Sequence, residues 1–251
     1  MISEIGILHP DEVARVLAFL RKRKSLKTHH LNLIIFRLAC CCGLRRKEIA
    51  NLNLQDLLFT GKFPAVRVRG EATKASSHSG SGTGRYVPLW WDQGTLADLA
   101  EWCEYRRTDP SFPDAGPNSP VVCCVSGGAR WQKIGGRLSL STLTKRWTRL
   151  IEVLGEDRQR QTTLHSGRHT YVSHALHSGR SLVEVARAAG HKNIATTSLY
   201  SHLIESTGLP DIFGPARLGP EPEEKPEESN GQYTGRRRRW RPRSRKQKET
   251  T

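Results

Sequence analysis

Leu164-His165-Ser166-Gly167-Arg168-His169-Thr170 and, further along, Ala189-Gly190-His191-Lys192-Asn193-Ile194-Ala195-Thr196-Thr197-Ser198-Leu199-Tyr200 are the stretches on which the reading of this chain turns. The first opens a helix near Leu164. Between the two stretches, Ser181-x-x-Glu184 is a capping box that starts another helix, and Gly190 supplies its C-terminal cap. Ala195 to Leu203 starts a last helix. Polar and basic groups thus punctuate a run of short helices.

The helical pattern extends upstream. Ser139 caps a helix whose Leu143, Trp147, Leu150, Ile151 and Leu154 share a face, and Leu96, Leu99, Ala100, Trp102 and Cys103 mark another. Asp109 to Pro120 holds four prolines and reads as a connector. Near the start, His9-Pro10-Asp11 opens a helix carrying Val13, Val16, Leu17 and Leu20. A second runs from about Leu31 to Cys42 and ends at Gly43, and Arg45 to Asn51 forms a short third. Between these groups the period changes to two. Ala65-Val66-Arg67-Val68-Arg69 and Arg85-Tyr86-Val87-Pro88-Leu89 read as paired strands, Leu57 to Thr60 as a possible third, and Gly70 to Gly84 as a mobile loop. The expected fold class is mainly α (α+β), a helical domain with a small antiparallel sheet over residues 5–213. An acidic, Pro-rich disordered linker (214–235) and a basic disordered tail (236–251) follow.

Composition narrows the partners. Among 251 residues, 40 Lys+Arg stand against 24 Asp+Glu, a formal net charge of +16. Such a surplus attracts polyanions, because each neutralised phosphate releases counterions; a merely soluble basic protein is the bland alternative. No apolar run spans a bilayer and no signal-peptide pattern opens the chain, so a cytoplasmic, nucleoid-associated protein without membrane contact is expected. The six cysteines (40, 41, 42, 103, 123 and 124) include no Cys-x-x-Cys pair and read as small core hydrophobes. His165 and His169 are four apart, as in zincin sites, but Ser166 stands where that motif needs Glu. No metal is expected, and His169 reads as a packing or hydrogen-bonding residue.

Cutting a phosphodiester without metal requires an in-line nucleophile, cations to neutralise the pentacoordinate phosphorus, and an acid for the leaving oxygen. Arginine suits the second task because its planar fork binds two phosphate oxygens and keeps its charge. Gly43-Leu44-Arg45-Arg46-Lys47-Glu48-Ile49 and the two stretches quoted first meet these demands in order. Together they resemble the first-arginine, His-x-x-Arg and Gly-His…Tyr motifs of the tyrosine recombinases, the phage integrase family. The resemblance covers roughly 200 residues.

The resemblance implies a tyrosine-recombinase catalytic domain acting on double-stranded DNA. Tyr200 would attack the scissile phosphate to give a 3′-phosphotyrosine, and Arg45 and Arg168 would clamp its oxygens. His165 would manage the tyrosine proton and His191 would hydrogen-bond the phosphate. Lys74 would protonate the leaving 5′-oxygen, although Glu71 occupies the position where many members carry that lysine; Lys62 is the fallback. Glu48, one turn after Arg45, would orient the basic groups or only balance their charge. No cofactor, metal or ATP is implied. Gly167, where members more often have Leu, would loosen the helix start near His165.

The family also implies a homotetramer on two DNA sites, with accessory DNA-binding proteins possible. Members commonly carry a helical core-binding domain ahead of the catalytic one. Only 44 residues precede Arg45, so a natural single-domain recombinase and a truncated one are both open. From Arg236 to Lys248 nine of thirteen residues are basic. Arg236, Arg237, Arg238 and Arg239, with Trp240 to stack on a base, would form a sequence-blind DNA-binding arm, or simply a solvated tail. Two other functions compete: a type IB topoisomerase-like nicking-resealing enzyme, and a non-cutting DNA-binding regulator of the same fold. An ordinary, partly buried tyrosine at 200 would fit the latter. Against it, Arg45, His165, Arg168, His191 and Tyr200 are all present.

Overall fold

A helix that is apolar all round must run through a core, and Lys27–Phe36 (α2) does so: every residue from His30 to Phe36 is buried. The computed structural model describes residues 6–70, 84–112, 115–127, 133–191 and 193–200. The helix begins at Lys27, earlier than the apolar pattern alone suggests, because its first turn is polar and half-exposed. Its end also differs from expectation. The backbone widens into a π-turn over Arg37–Cys41, closed by Cys42 N–H donating to the Arg37 carbonyl at 3.0 Å. Gly43 then turns the chain with φ of +62°, and a Cβ there would lie 2.4 Å from the Tyr171 ring. Only glycine satisfies both conditions.

The amphipathic helix Pro10–Lys22 (α1) lays Val13, Val16 and Leu20 on α2, with Pro10 at its first position and the Glu12 carboxylate accepting from His9 N–H. Leu140–Leu150 (α5) covers another side of α2. The Ser139 hydroxyl caps it at Thr142 N–H, and Leu143, Trp147 and Leu150 face inward, Trp147 stacking on Phe36 at 6.2 Å. Gln93–Thr108 (α4) is capped by Asp92 and buries Leu99, Trp102 and Cys103. A short helix, Arg46–Asn51 (α3), follows the Gly43 turn. Another, Glu156–Gln161 (α6), has no fully buried residue. The expected third strand is present but shorter than Leu57–Thr60. Leu57–Leu58 (β1), Ala65–Val68 (β2) and Arg85–Pro88 (β3) form an antiparallel sheet in that order, with Val66 opposite both Leu57 and Val87, and Val68 opposite Arg85.

Leu164–His177 (α7) crosses the π-turn at very close range, and Gly167 makes this possible. A Cβ there would sit 2.8 Å from Ala39 Cβ and 3.2 Å from Cys40 Sγ. Beside the propensity cost expected of Gly167, the missing side chain thus has a packing role: it lets the two segments approach closely. Leu182–Ala189 (α8) packs on α7 and ends at Gly190, φ +72°; Ala195–Ser198 (α9) is a single turn that leads to Tyr200. All six cysteines are free and buried. Among the described residues, no helix is long and apolar enough to cross a membrane, and no group of three or more His, Cys, Asp or Glu could hold a metal ion.

A buried ion group ties these layers together. Arg37 donates from Nη1 to Asp92 at 3.0 Å and from Nε to Asp98 at 2.8 Å, and Arg21 reaches the same Asp98 at 2.9 Å. Asp92 also caps α4, so one carboxylate serves helix start and ion pair alike.

Candidate active site

Arg45 is the residue just before α3, in extended backbone. Glu48, one turn on, accepts from Arg45 N–H at 2.7 Å and from Arg45 Nη1 at 3.0 Å. The other end of the guanidinium donates from Nη2 to the Gly190 carbonyl at 3.0 Å. The first and third motifs are thus joined through one side chain.

Arg168 joins the first and second. It lies inside α7 and is 3% exposed, and its Nη1 donates to the Gly43 carbonyl at 2.8 Å. Its Nη2 is buried and has no hydrogen-bond partner among the described residues. Burial, and then the charges of Arg45 and Arg85, push Arg168 down to about 10, against the opposing pull of Glu48 and Tyr200. A guanidinium held this way gains from any anion that reaches the open nitrogen.

The nucleophile expected from the sequence sits beside the same helix. Tyr200 is 2% exposed, and its hydroxyl is hydrogen-bonded to His169 Nδ1. Burial drives the phenol up to about 12, with the Arg168 charge acting in the opposite direction. The hydrogen bond expected of His169 therefore goes to the Tyr200 hydroxyl, where the sequence reading put His165. His165 instead packs edge-on against the His169 ring, centroids 4.5 Å apart. Burial first, then neighbouring charge, lowers all three histidines of the group. His165 is lowered also by Arg168 and Arg45. His169 falls to about 4 with help from His165 and Arg168. His191 falls to about 4 under Arg168, Arg45 and Arg85, and its Nδ1 is 2.7 Å from Thr197 Oγ1. In each case the shift favours the uncharged ring.

Arg85 was not singled out by its sequence context. At the start of β3, it donates from Nη1 and Nη2 to the two oxygens of Glu48 at 2.7 and 2.8 Å, and from Nε to the Ala188 carbonyl at 2.8 Å. Burial alone would raise Glu48, but the bonds and charges of Arg85 and Arg45 outweigh it and hold the carboxyl below its usual range. Glu48 thus accepts from two arginines, Arg45 and Arg85. Five of the six expected catalytic residues, Arg45, His165, Arg168, His191 and Tyr200, converge here. Lys74 lies outside the described residues, as do Arg236, Arg237, Arg238, Arg239 and Trp240.

Comparison with known proteins points to one family. The model described as "Phage integrase family" matches residues 7–206. The chain is 27% identical over 172 residues to "Tyrosine recombinase XerC" of Staphylococcus haemolyticus (strain JCSC1435), covering 68% of this chain and 48% of that protein. To the protein of the same name from Vibrio atlanticus (strain LGP32) it is 29% identical over 165 residues, 64% of this chain and 43% of the other. It spans about half the length of the curated relatives it matches. Among solved structures, XerH site-specific recombinase bound to palindromic difH substrate, a post-cleavage complex, superposes with a TM-score of 0.59 at 21% identity, over 81% of this chain and 51% of that one. XerA recombinase gives 0.56 at 21% identity, over 80% and 60%. Both have the fold described above.

Proposed function

The chain belongs to the phage integrase family, and on that premise we propose that it is a site-specific DNA recombinase that cuts and rejoins double-stranded DNA through Tyr200. One observation carries the reading. Among the described residues, Arg45, Arg85 and Arg168 gather around the single carboxylate of Glu48, beside a tyrosine hydroxyl, and a buried Arg168 nitrogen is left open. The surplus charge suits one phosphodiester.

Tyr200 Oη attacks phosphorus, the bond to the 5′-oxygen breaks, and a 3′-phosphotyrosine with a free 5′-hydroxyl results. Arg45 and Arg168 take the non-bridging oxygens, where negative charge grows as phosphorus becomes pentacoordinate. His169 is already on the hydroxyl and receives its proton, with His165 against that ring. His191 donates to the phosphate. The leaving oxygen takes its proton from Lys74, in the role the family gives that lysine. The phosphotyrosine conserves the bond energy, so a second DNA end reverses the reaction without ATP or metal. The working assembly in this reading is a tetramer on two DNA sites.

The test is a pool of nicked duplexes with randomised sequence around the nick, incubated with the protein and resolved under denaturing conditions. Wild type should form a covalent adduct and Tyr200→Phe none. No adduct with wild type, or equal adduct with Tyr200→Phe, overturns the reading. Relaxation of supercoiled DNA with no recombinant product would instead select the topoisomerase-like activity.

A further inference from the structure

Arg85 is placed like a strut. It begins β3 opposite Val68, and its side chain is 15% exposed. It turns a cation inward to meet two elements far away in sequence. On one side its fork grips both oxygens of Glu48, which in turn holds the backbone and the guanidinium of Arg45. On the other its Nε binds the Ala188 carbonyl in the last turn of α8, where a cation also complements the helix dipole. The chain beyond that carbonyl passes tightly over it: a Cβ on Gly190 would lie 2.8 Å from Arg85 Cδ and 2.9 Å from Nε. Gly190 is also the residue whose carbonyl takes Arg45 Nη2, and it immediately precedes His191.

We propose that Arg85 is a positioning residue for DNA cleavage, setting the gap between Arg45 and His191 without itself touching the phosphate. The proposal rests on the phosphotyrosine reading above. Three of its five N–H groups, one on each guanidinium nitrogen, already donate to protein oxygen, and the side chain is only 15% exposed, so its fork is committed to Glu48 and Ala188. Lysine cannot replace it. An ammonium is a point charge and cannot span a carboxylate and a carbonyl in this fixed plane.

The experiment measures single-turnover cleavage at saturating DNA, using the nicked sequence that wild type enriches from the randomised pool. Arg85→Lys, Glu48→Gln and the double variant are compared with wild type, with duplex affinity and melting temperature recorded for each. The exponential rate constant reports the site in molecules that are folded, and its amplitude reports how many there are. Arg85→Lys should slow the rate constant by about 100-fold, the scale of an ångström's misplacement, while affinity stays within a few-fold. The double variant should be no slower than the worse single one, because both act through the same carboxylate. An unchanged rate constant with reduced amplitude means a purely structural role and overturns the proposal. So do a loss confined to affinity, which would mean a direct phosphate contact, and multiplicative losses in the double variant. Wild type without adduct overturns the phosphotyrosine reading instead, before any variant is compared.

Discussion

Arg37 and Arg168 are both almost sealed from water, each 3% exposed, yet their surroundings differ in sign. Arg37 has two carboxylates, Asp92 and Asp98, the second shared with Arg21. Burial works against its charge, but Cys41, Asp92 and Asp98 more than reverse this and raise Arg37 above its ordinary value. Arg168 has Arg45 and Arg85 for neighbours and a share of Glu48, and it falls to about 10. The first group is complete within the protein. The second is short of negative charge, which in the proposed reading a DNA phosphate supplies. A scaffold closes its electrostatic account, and a site leaves it open by the charge of its substrate.

Three substitutions would break or sharpen that contrast. The largest effect should come from Arg168→Ala, which removes a cation that meets growing charge. Cleavage of the nicked duplex should fall by about 100- to 1,000-fold, with a far smaller change in melting temperature than Arg37 variants show. A melt that collapses as far as theirs would erase the distinction. Next is Arg37→Met, which strands Asp92 and Asp98 in the interior and should cost about 3–5 kcal/mol of stability in a denaturant titration. The cleavage rate per folded molecule should stay at the wild-type value, and adding Asp92→Asn and Asp98→Asn should restore most of the stability.

The smallest effect concerns histidines. His174, with Nε2 on the Leu8 carbonyl, and His191 are each pushed down to about 4, burial being the first cause in both. The ordinary value is 6.5 and the folded one is lower, so folding favours the neutral ring. The stability this confers is full above pH 6.5 and is lost as pH falls toward 4, at up to about 1.4 kcal/mol per pH unit for each ring. His174→Gln keeps a donor near Leu8 and should flatten the acid limb of the stability curve. By NMR titration, bound nicked duplex should raise the His191 midpoint and leave His174 where it is. Equal movement of both would mean that the phosphate is not at the site.

Much of this was legible beforehand because it is local. Ser139, Ser181 and Gly190 mark their helix ends by chemistry that needs no partner elsewhere, and the strands at Val66 and Val87 announce their period. α6 gave no such signal, since a six-residue helix with no buried face has no apolar stripe. The candidate catalytic residues were legible as motifs, but their partners were not. Arg85 meets Glu48 37 positions away and Ala188 103 positions away, and an arginine opening a strand looks like any solvated one. His169 reaches Tyr200 across 31 positions. Gly167 read as a weak helix former because its reason lies on α2's extension, at Ala39 and Cys40.

That glycine has a further consequence. Where helices are spaced by interleaved side chains, the separation can be tuned by exchanging one residue for a slightly larger or smaller one. At Gly167 only the Ala39 methyl and the Cys40 sulfur stand between the two backbones, so the separation has little room to change. Arg168, the next residue, and the turn at Gly43 to which it is bonded are gauged from that separation. Any enlargement at position 167 transmits to the span between Arg45 and Arg168, with little compliant layer to absorb it.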